Sequence, residues 1–137
     1  MEMNIELKKG IGTIQFGMPV EEIVATLGTA DEVESIDNAA DESTTVLRYN
    51  GLGLTLFCEG DNPALSCIDV ANDDCTLFGE PVFDLDERAI VRLMVSHDIT
   101  EEDADEEDWG ERRITFPQAN VDFYFDQGDL VSIILGQ

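Results

Sequence analysis

Positive charge is what this sequence most lacks. Seven Lys and Arg residues stand against 31 Asp and Glu in 137 residues, a net charge of -24, and lysine occurs only as Lys8 and Lys9. Such a field repels nucleic acid and anionic membranes and attracts cationic surfaces. Neither a nucleic-acid nor a membrane-surface partner is expected. With one histidine, His97, a histidine-rich zinc site is excluded. The three cysteines, Cys58, Cys67 and Cys75, lack the paired spacing of a zinc knuckle. Cys58 and Cys67 lie in apolar strand patterns, where a reduced thiol behaves as a small hydrophobe, so a reducing cytoplasmic location is expected. No segment approaches the ~20 apolar residues needed to span a bilayer. Met1 to Lys9 has no apolar run behind its lysines and does not read as a secretory signal.

Catalytic signatures are missing too. The glycines at 10, 12 and 17 neither end in Lys-Ser/Thr nor follow a long buried strand, so they form no phosphate-cradling loop. Ser96, His97 and Asp98 are consecutive on a helical pattern and point in different directions, with no nucleophile elbow nearby. Asp103, Asp105 and Asp108 have neither the spacing nor the glycine of a calcium-binding hand loop. Carboxylates are too numerous for any one pair to signal acid–base catalysis. The chain is therefore expected to be no enzyme and to hold no cofactor or dedicated metal.

The apolar fraction of 43% is that of a folded protein, and the length suits one domain with one core. Asn4 to Phe16 reads as a short extended segment bending at its glycines. Pro19 then opens a helix carrying Glu21 and Glu22 in its first turn and Val20, Ile23, Val24 and Leu27 as its apolar stripe, stopped by Gly28. A polar, acidic linker follows from Thr29 to Ser43. Three strands come next: Thr44 to Tyr49, an Asn50-Gly51 hairpin turn of type I′, Leu52 to Glu59, and Leu65 to Ala71 after the turn at Gly60-Asp61-Asn62-Pro63.

The series then restarts. Phe16-Gly17-x-Pro19-Val20 returns as Phe78-Gly79-x-Pro81-Val82, and Ile23-Val24-x-x-Leu27 returns as Ile90-Val91-x-x-Met94. Leu47 and Tyr49 then match Ile114 and Phe116, and Leu54, Leu56 and Cys58 match Val121, Phe123 and Phe125, at a constant offset of 67 residues. The second helix is expected from about Asp86 to Ser96, with Ile90, Leu93, Met94 and His97 as its stripe. A second linker, His97 to Gly110, holds eight acids and no base. Both linkers read as solvated loops, with Trp109 either anchoring the second to the core or contacting a partner.

This pattern predicts an α+β protein: a tandem repeat of helix plus three antiparallel strands, residues 1–73 and 74–137, forming one curved sheet with both helices on one face. Alternation puts Leu47, Tyr49, Leu54, Leu56, Ile114, Phe116, Val121, Phe123 and Phe125 against the helices. Arg48, Thr55, Phe57, Arg113, Thr115, Asp122, Tyr124 and Asp126 face away. The candidate partner-binding residues are Phe57, Tyr124, Arg48, Arg113, Asp122 and Asp126 on that face, and Asp105, Glu106, Glu107, Asp108 and Trp109 in the second acidic linker. The free sheet edges leave either a monomer or an edge-paired homodimer.

The opening Gly10-Ile11-Gly12-Thr13-Ile14-Gln15-Phe16-Gly17-Met18-Pro19-Val20-Glu21-Glu22-Ile23, followed by a helix ending at Leu27-Gly28 and then three strands, resembles the helix-plus-sheet repeat of the beta-lactamase-inhibitory-protein-like superfamily. The resemblance implies a curved antiparallel sheet backed by helices, with its concave face gripping another protein; no individual inhibitory residue is carried over. A protein-binding module, bacterial and of the acidic immunity or inhibitor kind with a basic protein partner, is the function expected. The alternative is an acidic housekeeping or ligand-binding domain whose charge serves solubility or salt adaptation.

Overall fold

The computed structural model describes residues 2–37, 43–106 and 110–137. Its opening segment makes three short strands, β1 (Asn4–Glu6), β2 (Gly10–Ile11) and β3 (Ile14–Gln15). Pro19 then precedes α1 (Val20–Leu27), whose first turn carries Glu21 and Glu22 and whose Ile23 is buried. Strands β4 (Glu32–Asp37), β5 (Ser43–Tyr49), β6 (Leu54–Glu59), β7 (Ala64–Val70) and β8 (Thr76–Leu77) follow. The second helix, α2 (Glu87–Ser96), is capped by the Asp86 carboxylate, which accepts a hydrogen bond from the Ala89 N–H at 2.8 Å. The chain continues through β9 (Asp103–Glu106), β10 (Glu111–Phe116), β11 (Val121–Asp126) and β12 (Asp129–Gly136). It is an α+β fold of mostly antiparallel strands with two helices among the described residues.

Eight strands form the main sheet in the order β4-β5-β6-β7-β12-β11-β10-β9. Outward from the central β7–β12 pair, each side runs through consecutive antiparallel neighbours to an edge strand. The inward-facing residues line up in rows across the strands. One row is Val33, Leu47, Leu56, Ile68, Leu135, Val121 and Phe116; the next is Tyr49, Leu54, Val70, Ile133, Phe123, Ile114 and Ala104. Most of these join Ile23 of α1 and Ile90 and Met94 of α2 in one buried cluster, so both helices pack on this face. Phe116 and Phe123 meet there edge to face, ring centroids 5.8 Å apart. The nine residues assigned to the helix-facing side are all buried.

Several expectations require correction. The sheet is not the only one: β3-β2-β1-β8 make a second, four-stranded sheet whose β1–β8 pair is parallel, and its Ile5, Ile11, Ile14 and Leu77 feed the same core. The two acidic linkers are not simply loops, since each contains the strand that forms an edge of the main sheet, β4 and β9. Backbone pairing to β5 and β10 supplies the order that their side chains do not advertise. His97 is not part of the apolar stripe; it caps α2, is exposed, and stacks on the Phe78 ring at 3.6 Å.

The Asn50-Gly51 turn also differs. The chain makes a 3-10 turn over Asn50–Leu52 and takes positive φ at Gly53 instead. Three hydrogen bonds hold this wider loop: Asn50 N–H to the Asp31 carboxylate at 2.7 Å, Asn72 Nδ2 to the Leu52 carbonyl at 2.8 Å, and Ala71 N–H to the Gly53 carbonyl at 2.8 Å. Two-residue turns with positive φ at both positions occur instead at Gln127-Gly128, between the paired Asp126 and Asp129, and at Phe78-Gly79, between the bridged Leu77 and Glu80.

A 3-10 turn followed by a left-handed residue recurs at Pro117–Ala119 and Asn120, where the Gly136 N–H donates to the Asn120 carbonyl at 2.9 Å. Each crossing is closed against one glycine, Gly53 at the end of the first turn and Gly136 on the strand beside the second. A Cβ on Gly53 would lie 2.2 Å from the Ala71 carbonyl oxygen, and a Cβ on Gly136 would lie 2.3 Å from the Asn120 amide nitrogen. The first obstacle is backbone and the second is a side chain able to turn aside. Gly53→Ala, which also meets positive φ, is therefore expected to cost roughly 2–3 kcal/mol and Gly136→Ala roughly 1 kcal/mol in urea unfolding. Adding Asn120→Gly should relieve the second penalty and leave the first unchanged.

Candidate functional site

The face of the main sheet turned away from the helices has no described element packed over it. One register row crosses all eight strands: Glu32, Arg48, Thr55, Asp69, Ile134, Asp122, Thr115 and Asp103. On one side of it stand Glu34, Val46, Phe57 and Cys67, and on the other Ser132, Tyr124, Arg113 and Asp105.

The structure distributes the sequence-selected residues unevenly. Arg48, Phe57, Arg113, Asp122, Tyr124 and Asp105 share this face. Phe57 and Tyr124 nevertheless sit on opposite sides of the central row, on the order of 20 Å apart by strand spacing and rise, so they make two half-buried aromatic points and not one patch. Asp126 is exposed at the end of β11, paired with Asp129 and Glu111. Glu106 belongs to the opposite face: it pairs with Arg112, whose guanidinium is bound by Glu87 of α2. Glu107, Asp108 and Trp109 lie outside the described residues.

Both arginines of the face are engaged by edge-strand acids. Arg48 lies 3.1 Å from Glu34 and 3.6 Å from Glu32, and Arg113 pairs with Asp105, although its buried Nε has no acceptor. Thr115 donates its hydroxyl to Asp122. Asp69 is different. It stands in the middle of the row, only partly exposed, with no hydrogen bond or ion pair among the described residues, and burial pushes its carboxyl above the usual carboxylate range. Its neighbours feel it: the Cys67 thiol is pushed up by burial and then by Asp69 and Asp122, and the Tyr124 hydroxyl is pushed up by burial and then by Asp122.

Asp69 was missed from sequence because one acid among 31 carries no mark of its own. The usable signal was its parity in the third strand, which alternates with the apolar Ile68 and Val70. Elsewhere the chemistry is quiet. A cavity of about 540 Å³ beside Met3, Leu52 and Asn72 brings Glu2 and Asp74 to its wall with no histidine or thiol to work with them. Among the described residues no three His, Cys, Asp or Glu side chains gather as a metal site.

Two outcomes follow from these environments. A carboxyl that binds its proton more tightly folded than unfolded weakens the fold at pH values above its range, and stops doing so as pH falls through it. Asp69→Asn should thus raise stability at pH 7 by about 0.5 kcal/mol, a figure kept small because the group still meets solvent, and the gain should vanish in urea titrations near pH 3. Burial also raises the Cys58 thiol to about 11 and, with Asp74 and Asp73 adding, the Cys75 thiol to about 12. With iodoacetamide at pH 8 the native protein should react slowly, Cys67 first, whereas all three cysteines should react on unfolding. Set against known protein families, curated sequences and solved structures, the chain matches none, so its function has to be read from the geometry of this face.

Proposed function

We propose that the chain is a protein-binding module of the acidic immunity or inhibitor kind, and that the open face of the eight-stranded sheet receives a basic partner protein. Asp69 carries this reading. A half-buried carboxylate without a cation or donor costs stability, and a lysine or arginine brought by a partner would offset that cost where no described residue does. Asp122 stands two strands away in the same row, about 10 Å by strand spacing, so two cationic side chains of one partner surface could be met at once. Phe57 and Tyr124 offer apolar area on either side, and the acids of both edges extend the attraction outward. Arg48 and Arg113, already paired within the chain, do not oppose it.

The same reading takes the chain as a tandem repeat in one domain, residues 1–73 and 74–137, related to the beta-lactamase-inhibitory-protein-like arrangement and acting in the cytoplasm. Support comes from the mirrored strand order on the two sides of β7–β12 and from the matching 3-10 crossings before β6 and β11. Salt adaptation is the competing reading, favoured by the many exposed acids outside the four ion pairs seen among the described residues.

The two separate in one experiment. Immobilised protein exposed to lysate of its source at low salt should retain a stoichiometric basic protein that leaves at high salt, and Asp69→Asn/Asp122→Asn should weaken its binding at least tenfold. Retention indifferent to both substitutions would move the interface off this face. No retention, with stability climbing steeply as salt is added, would assign the acidity to solvation.

A further inference from the structure

The seven cationic residues are few enough to follow one by one. Lys8 and Lys9 lie at the β1–β2 turn, and Arg48 and Arg113 are paired on the open sheet face. The remaining three, Arg88, Arg92 and Arg112, line a single groove of about 310 Å³ between α2 and the β9–β10 edge, on the helix side of the sheet. From this convergence we infer that the groove binds a small organic anion, an acidic head carried on an apolar body.

Helix spacing sets the geometry. Arg88, Val91 and Arg92 fall at i, i+3 and i+4, so two guanidinium groups and an apolar side chain share one face of α2. Arg112 reaches the groove from β10 and is held by Glu87. Arg88 and Arg92 are exposed and form no ion pair among the described residues, although acids outnumber bases more than fourfold in the chain. Like charges four residues apart on a helix repel. Two unpaired arginines kept in that relation, with acids plentiful, leave their planar donors free for a carboxylate or phosphate.

The floor of the groove suits the rest of such a ligand. Val91 and Ile114 are apolar, and the volume lies at the lower end of the range for small-molecule sites. An acidic polypeptide fits less well, because Glu102 at the groove and Glu106 on the helix side of the adjoining edge strand would repel a long anion laid along it. Under the repeat reading, the architecture itself does not call for the arginines. The counterparts of Arg88, Arg92 and Arg112, 67 positions earlier in α1 and β5, are Glu21, Ala25 and Thr45, whereas Val91 and Ile114 answer to Val24 and Leu47. The apolar floor recurs and the cations do not. A carboxylate that acts on Arg112, Glu102, also lines the groove and opposes the anion.

Amide NMR of the full chain at low salt tests this with two probes, phenyl phosphate and octanoate. Either should shift amides of α2, β9 and β10 saturably and leave the open sheet face unmoved; the tighter probe identifies the head group. Arg88→Gln/Arg92→Gln, both exposed positions whose spectra should remain those of the folded protein, should weaken binding at least tenfold. Glu102→Gln should strengthen it severalfold. Absence of saturable shifts with both probes, or shifts that survive in the double variant, would overturn the site. Because the readout is confined to the helix side, its failure would leave the open-face reading untouched, and the reverse also holds.

Discussion

Four residue pairs between β7 and β12, from Cys67 with Gly136 to Val70 with Ile133, are the contact on which the rest of the molecule depends. They join two four-stranded halves into one sheet, align the apolar rows from edge to edge, and give α1 and α2 a common floor. A half-sheet alone would leave Ile68, Val70, Ile133 and Leu135 on an unpaired edge, and all four are buried in the joined structure. The same contact creates the molecule's main electrostatic tension. Asp69 lies on β7, which would be an edge of the isolated half, open to water; pairing with Ile134 places its carboxylate in the interior of the sheet. Closure of the core and desolvation of that acid are one event.

Away from that centre the charges are arranged with little internal compensation. Each edge strand is acidic, and each is tied to its neighbour by one arginine of the open face: Arg48 to Glu32 and Glu34 of β4, Arg113 to Asp105 of β9. These arginines stand at different levels, Arg48 in the register row that also holds Thr115 and Arg113 in the row that holds Tyr124. The two edges are thus tied at unlike points of the sheet. Ion pairs this exposed contribute little each, so backbone pairing holds the edge strands and the arginines moderate repulsion.

How far the fold could be read beforehand depended on whether burial left a period in the sequence. Val20 to Leu27 and the stripe at Ile90 and Met94 gave the helices nearly residue for residue, and the Leu54, Leu56, Cys58 and Val121, Phe123, Phe125 alternations gave the inward face of the sheet. Where a strand is held by its backbone and buries little, the period disappears. Asp103-Ala104-Asp105-Glu106 has no apolar alternation, and Val33 and Ile36 are three apart on opposite faces, so β4 and β9 read as loops. The small sheet was hidden for another reason: its β1–β8 pairing joins residues about 70 positions apart through two-residue contacts. For the candidate face, the aromatic and arginine positions were legible from parity. Asp69 was not, because its distinction lies in what surrounds it.

The two edge strands have a further consequence. Among the described residues β4 is paired only with β5 and β9 only with β10, so within that set both keep a rim of unpaired backbone donors and acceptors, and on β4 Val33 and Ile36 stand 63% and 42% exposed. At neutral pH the acids on both rims keep copies apart. Near the isoelectric pH of about 4.1 that repulsion fades. A β4 rim meeting the β9 rim of another copy joins unlike surfaces and leaves a fresh rim at each end, so the contact does not close. On this physical argument the negative charge would have a colloidal role besides any part in recognition, opposing growth of an open-ended sheet into a filament.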